Sequence, residues 1–303
     1  MRIVLASLWL FCWSWQAAAA ENISDHEIFC ATAANQPCEA YIQQQLAAAR
    51  PYSVVWYKTT SYYLDYLFDH HQFAALQSQI EPLLQHEPLP ESFTLQLYFY
   101  YAKALNAQQQ PDKAKIYANK AMPKLEQIYQ VFGEPFRMLE LANLQHQVGN
   151  NEKAEQILSY TEHHFIKSKD PVFIFELNSN KALIAHAKAD LTQAARLRQL
   201  ALDAALQTGQ NGKIIVAYGN LARTVQLMGQ LELARDTYLA SLPFMVSGDE
   251  IQHSIHHLRL AEISWQLKNY PQALNYLAQV KKQQLGKAHQ DMYQQLSTLP
   301  ELQ

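Results

Sequence analysis

Glycine and cysteine are scarce in this chain, at 8 and 3 of 303 residues. With so few glycines and no Gly/Ser-rich stretch, the composition offers no flexible linker at which the chain would divide into separate globular domains. A strong charge is missing as well. The formal balance is −3, which leaves no basic footprint and excludes nucleic acid and anionic lipid as expected partners. After residue 20 no run is long and apolar enough to span a bilayer. His-Glu-x-x-His, Gly-x-Ser-x-Gly, Ser-x-x-Lys and a glycine-rich phosphate loop are all absent, so the expectation is a protein that is not an enzyme and carries no cofactor.

What the chain does have is alanine at a fixed period. Ala114, Ala154, Ala194, Ala234 and Ala273 are separated by 40, 40, 40 and 39 residues, and Ala102, Ala142, Ala182, Ala222 and Ala261 keep the same rhythm twelve residues upstream. Periods of this length belong to stacked repeats, which lengthen a chain without enlarging one core. Within one unit, Tyr218, Leu221, Ala222 and Val225 fall on one face of a helix that Gly229 ends. A second amphipathic helix then runs through Leu233, Ala234 and Tyr238 to Leu242. The unit is a helix hairpin, with small residues where two axes approach and larger ones beside them.

Tyr218, Leu221, Ala222, Gly229, Leu231, Ala234, Tyr238 and Ser241 together resemble the tetratricopeptide repeat, in a form longer than the usual unit. The resemblance implies an all-α, right-handed superhelical solenoid of antiparallel hairpins. About six hairpins would cover residues 53–285, behind an N-terminal capping segment at 21–52 and ahead of a capping helix and tail at 286–303. The unit around Ala182 departs from the pattern: Asn178, Lys181 and Arg198 stand where apolar residues are expected, which leaves either a distorted unit or a register off by one residue. Gly219 alone is expected inside a helix, with Gly209, Gly212 and Gly248 between hairpins.

In this repeat family the first helix of each hairpin lines a concave surface. Carried over position by position, that surface would present Lys103, Asn143, Asn180, Asn220, Arg223 and Arg259 to a peptide, with Phe99, Phe136 and Trp265 as apolar anchors. Asn220 resembles the asparagine that pairs with a bound peptide's main chain, since an amide donates and accepts at once, and Arg223 with Arg259 would hold a carboxylate. The bland alternative is a solvated helix face. His253, His256 and His257 are the one metal candidate, and they lack a further ligand at a recognised spacing, so no metal is expected.

At the N-terminus, Arg2, the apolar stretch Ile3 to Trp15 and the run Ala17 to Ala20 read as a cleavable signal peptide over residues 1–20. This implies export to the periplasm without stable membrane insertion. An oxidising compartment would join Cys30 and Cys38. Eight residues along a helix would hold them too far apart, so a turn at Asn35-Gln36-Pro37 is expected between them. A weaker resemblance links the aromatic stretch at 56–68 and the steps at 100–103 and 220–223 to exported repeat regions ahead of bacterial diguanylate cyclases and histidine kinases. The functional expectation is therefore a protein- or peptide-binding scaffold. Its alternatives are a sensory subunit partnered with an inner-membrane signalling protein, and a cell-envelope enzyme.

Overall fold

The computed structural model describes residues 29–30, 35–86, 88–132, 135–245 and 250–302. The expected signal peptide at 1–20 lies outside them. The described residues contain helices and no strand. Helix α1 (Asn35–Ala48) precedes six hairpins: α2 (Val54–Asp69) with α3 (Phe73–Leu83), α4 (Glu91–Ala107) with α5 (Pro111–Phe132), and α6 (Pro135–Gln147) with α7 (Asn151–His164). Then come α8 (Pro171–Ala187) with α9 (Leu191–Thr208), α10 (Asn211–Leu227) with α11 (Leu231–Ser241), and α12 (Glu250–Gln266) with α13 (Tyr270–Leu277). A final helix, α14 (Lys287–Ser297), places Leu296 in a small core with Leu258, Ala261, Leu277 and Leu285. The expected all-α hairpin solenoid is the architecture that forms.

The alanine columns are its seams. All ten are at most 1% exposed, which is how the two helices of a hairpin, and the next hairpin, pack without a bulky side chain between them. The Ala182 unit is neither distorted nor shifted. Ala182 and Ala194 are fully buried, and the three deviant residues are satisfied in place. The Asn178 amide donates to Ile174 O at 2.8 Å, Lys181 pairs with Glu162 at 2.7 Å, and Arg198 donates to Asn220 O at 2.8 Å and to the Thr224 hydroxyl.

Every hairpin turns the same way. His71, Gln109, Gly149, Ala189, Gly229 and Lys268 all have positive φ, between 57° and 93°, and each is followed by a backbone bond from the next residue to the carbonyl five back, as in Gln230 N to Val225 O at 3.1 Å. This closes a helix C-terminus through a left-handed residue. Only two of the six are glycine, so the other four carry the strain of an L-residue in that region.

Helix starts are set by side chains where the sequence provides them. Asp170 accepts from Val172 N ahead of Pro171, and Asp190 from Gln193 N, both at 2.9 Å. At the N-terminal end, Cys38 and Ile42 of α1 pack into the core of the first hairpin. Cys30 and Cys38 are joined by a disulfide, with Cα atoms 4.9 Å apart. The turn expected at Asn35–Pro37 is not there, because α1 already begins at Asn35. Gly212, expected between hairpins, is the second residue of α10.

Gly219 is inside α10 for a packing reason. A Cβ built on it would lie 3.0 Å from His256 Nε2 and 3.6 Å from Cε1. The His256 ring is 2% exposed. Its Nδ1 is 2.7 Å from the Ser241 hydroxyl, whose own proton goes to Tyr238 O at 2.6 Å, so Nδ1 is the donor to Ser241. Burial holds this imidazole neutral, pushed down to about 3.

The superhelix also returns on itself. The C-terminal end of α2 meets the starts of α10 and α12: Asp69 lies 3.6 Å from the Lys213 ammonium, and His71 Nδ1 lies 2.6 Å from Gln252 Nε2. One rim of the groove is closed by residues almost two hundred positions apart in the chain.

Two stability outcomes follow from these turns and seams. Ala189→Gly should raise stability by about 0.5–1 kcal/mol, the relief of about 1–2 kcal/mol of left-handed strain less about 0.4–1 of unfolded-chain entropy. Gly219→Ala should lower it by about 1–2 kcal/mol despite the better helix propensity of alanine, because the buried His256 ring must move. Urea midpoints with unchanged slopes check both.

Candidate functional site

The first helices of the hairpins carry a hydrogen-bonded ladder along the groove. On α4, the Lys103 ammonium donates to Asn143 Oδ1 on α6; Asn143 Nδ2 donates to Asn180 Oδ1 on α8 at 2.6 Å; Asn180 Nδ2 returns to Glu176 O at 2.8 Å. Three successive hairpins are thereby tied at nearly equivalent positions. Each amide retains one N–H and one lone pair for another partner.

Beside the ladder lies a cavity of about 390 Å³. Its walls come from α2, α4, α6, α8 and α10, and Phe99 and Phe136 supply part of its apolar lining. Four carboxylates and three cations face it: Asp65, Asp69, Glu140 and Glu176 against Lys103, Arg137 and Lys213. Most are already paired. Arg137 grips Glu140 through contacts of 2.7 and 2.8 Å, Lys213 faces Asp69, and Asp65 accepts from the Tyr100 hydroxyl at 2.6 Å and Gln96 Nε2 at 3.2 Å. Lys103 also sits 5.8 Å from the ring centres of Phe68 and Phe99.

Burial dominates the electrostatics here. It pushes Asp65 up to about 6 against the stabilising bond from Tyr100, and it raises Glu176 against the pull of Lys213. It brings Lys103 down to about 8, with the Glu176 charge opposing. For Lys213 the loss of water is outweighed by Asp69 and Glu176, and its pKa is raised. The cavity walls are partly dehydrated and carry both signs of charge.

A second polar cluster lies farther along the groove. Arg223 and Arg259 converge on the same oxygen of Glu262, at 3.3 and 3.0 Å, and Gln226 donates to Glu262 at 2.9 Å and to Gln266 at 3.0 Å. The carboxylate between the two arginines belongs to the chain itself.

No family model matches the chain, and no curated protein matches it. Solved structures do. Over 87% of this chain and 93% of the other, the helices superpose on a tetratricopeptide repeat protein from Parabacteroides merdae, with TM-score 0.51 and 10% identity. The fold is that of tetratricopeptide-repeat proteins.

Two further tetratricopeptide-like structures hold bound factors. The Rap protein complexed with Competence and Sporulation Factor matches with TM-score 0.59 and 12% identity over 86% of this chain and 71% of that one. NprR in complex with its cognate peptide NprX matches with TM-score 0.54 and 14% identity over 86% and 76%. The chain is shorter than some matches, spanning 46% of the one in the APC/C hetero-tetramer Cut9–Hcn1. The periplasmic expectation is corrected by these structures: Rap and NprR are cytoplasmic peptide receptors, so the periplasmic location is withdrawn.

The six polar residues carried over from the repeat family do not form one site. Lys103, Asn143 and Asn180 meet at the cavity; Asn220 is exposed beside Arg198 at a smaller pocket; Arg223 and Arg259 belong to the Glu262 cluster. Phe99 and Phe136 line the cavity, whereas Trp265 is half-buried on α12, one residue before Gln266. Asp65, Asp69, Arg137, Glu140, Glu176 and Lys213 also line the cavity and are not among the residues expected from the repeat family. The repeat period itself held a signal for two of them, because Glu140 is one period before Asn180 and Asp65 about one period before Lys103. His253 and His257 stack with ring centres 5.9 Å apart, and the described residues hold no group of three or more His, Cys, Asp or Glu placed for a metal ion.

The shifted Asp65 sets a pH dependence. Its folded pKa, about 6, lies above the unfolded value of about 3.9, so its favourable contribution is complete below pH 4 and is lost as pH rises through 6. Asp65→Asn, which keeps an acceptor for Tyr100, should therefore be more stable than wild type at pH 7.5 by about 1–2 kcal/mol and equal to it at pH 4. Thermal denaturation at the two pH values checks this.

Proposed function

We propose that the protein is a non-enzymatic peptide- or protein-binding scaffold whose occupant lies in the concave groove across the Lys103–Asn143–Asn180 ladder. The observation that carries this reading is the cavity of about 390 Å³ beside amides on consecutive hairpins that retain hydrogen-bonding capacity. An extended peptide presents a donor and an acceptor at every residue, and side-chain amides spaced along a solenoid answer both. The likeness in fold to NprR with its cognate peptide supports the same reading. A role as the sensory part of a signalling assembly would use this groove, and the identity of the bound partner would distinguish it.

The test is capture of a random heptapeptide mixture by the full chain. Comparison is with Asn143→Ala, Asn180→Ala and, separately, Asn220→Ala, Arg223→Ala, all of unchanged helicity by circular dichroism. The ladder variant should bind retained peptides at least tenfold more weakly, the magnitude of losing about 1.4 kcal/mol. Equal retention by wild type and the ladder variant would remove the occupant from the ladder.

A further inference from the structure

Two ion pairs account for four of the seven charged groups lining the cavity, which leaves Lys103, Asp65 and Glu176 outside them. Arg137 is taken by Glu140, Lys213 by Asp69, and the Asp65 carboxylate is held by two neutral donors, Tyr100 and Gln96. Lys103 spends its described hydrogen bond on the Asn143 amide and not on an acid. The Glu176 carboxylate accepts no hydrogen bond and forms no ion pair among the described residues, yet it faces the cavity from the middle of α8. Lys213 and Lys103 act on it through space without bonding it, and a partly buried carboxylate that no donor satisfies can take a proton or a cation. The cavity is of ligand size, and its lining also includes Asp65, Phe68, Phe99 and Phe136.

We propose that this cavity receives a primary ammonium group of the bound peptide, held by the Glu176 carboxylate, with Asp65 as the second negative wall. The inference rests on the groove reading above and adds the chemistry that fixes one point of the occupant. A peptide offers such a group at its amino terminus or on a lysine side chain, and either gives charge-assisted hydrogen bonds to a carboxylate in a site of reduced dielectric. The formal sum of the lining, four carboxylates against three cations, is −1, so one added ammonium brings it to neutrality. A carboxylate ligand would raise it to −2.

Binding then depends on pH with a defined sign. Glu176 and Asp65 both have raised pKa values from burial, and they face Asp69, Glu140, Tyr100, Lys103, Arg137 and Lys213 across the cavity. Asp65, at about 6, takes a proton across the range from pH 7.5 to pH 5, and the raised Glu176 moves in the same direction, so the attraction for a cation weakens and affinity should fall.

The experiment uses four heptapeptide mixtures: free amino termini with lysine, N-acetylated with lysine, free amino termini without lysine, and N-acetylated without lysine. Each is titrated against the full chain and against Glu176→Gln and Glu176→Asp of confirmed helicity. The expected result is at least a tenfold loss for the doubly blocked mixture, at least a tenfold loss in Glu176→Gln for the free mixture, substantial recovery in Glu176→Asp, and several-fold weaker wild-type binding at pH 5. The singly blocked mixtures then assign the ammonium to terminus or side chain. Capture of the doubly blocked mixture as strongly as the free one, unchanged by Glu176→Gln, would overturn the ammonium site and leave the groove reading intact. Capture that instead requires a peptide carboxylate and is lost in Lys103→Met would overturn it equally. No capture of any mixture would overturn the groove reading, and the ammonium site with it. The pH arm on wild type needs no variant to fold.

Discussion

Close contact at alanine is the constraint on which this molecule depends. Ten side chains of a single methyl group, all buried, let two helices within a hairpin and the helices of successive hairpins approach. A larger residue at any of them would separate axes that the neighbouring leucines and aromatics are spaced to fill. The packing repeats at a fixed interval, so the first helices are carried round one after another on the same side, and the groove is a consequence of that stacking.

The groove is polar because its residues are released from that packing duty. Lys103 and Asn143 share a column, as do Arg223 and Glu262, and in both pairs the contact runs between adjacent hairpins. Such contacts join neighbouring units without using a core position. Arg198 and His256 show the converse: polar groups placed in the core are tolerated because carbonyls and hydroxyls receive them, at Asn220 and Thr224 for one and Ser241 for the other.

Chain closure gives the cavity its fifth wall. Lys213 reaches the site from α10, and its pairing with Asp69 of α2 brings together two hairpins with three others between them in sequence. Lys213 is held there by Asp69 and Arg137 by Glu140 on its own helix, so neither cation bonds the Glu176 carboxylate, although the Lys213 charge still acts on it.

Much of the architecture could be read from the chain alone, because alanine period, turn position and amphipathic face are local properties that repeat. The six left-handed turn residues were harder to see, since four of them are not glycine and only the shared hydrogen-bond pattern identifies them. The sequence by itself determined the hairpin solenoid, its seams and the helices that face the groove. Tertiary structure decided which groove residues meet. The superhelix sets Lys103, Asn143 and Asn180 around one cavity, sends Arg223 and Arg259 to Glu262, and brings Asp69 to Lys213. The reason is physical: spacing along one helix fixes a residue's face, but distance across the groove depends on small rotations accumulated over several hairpins.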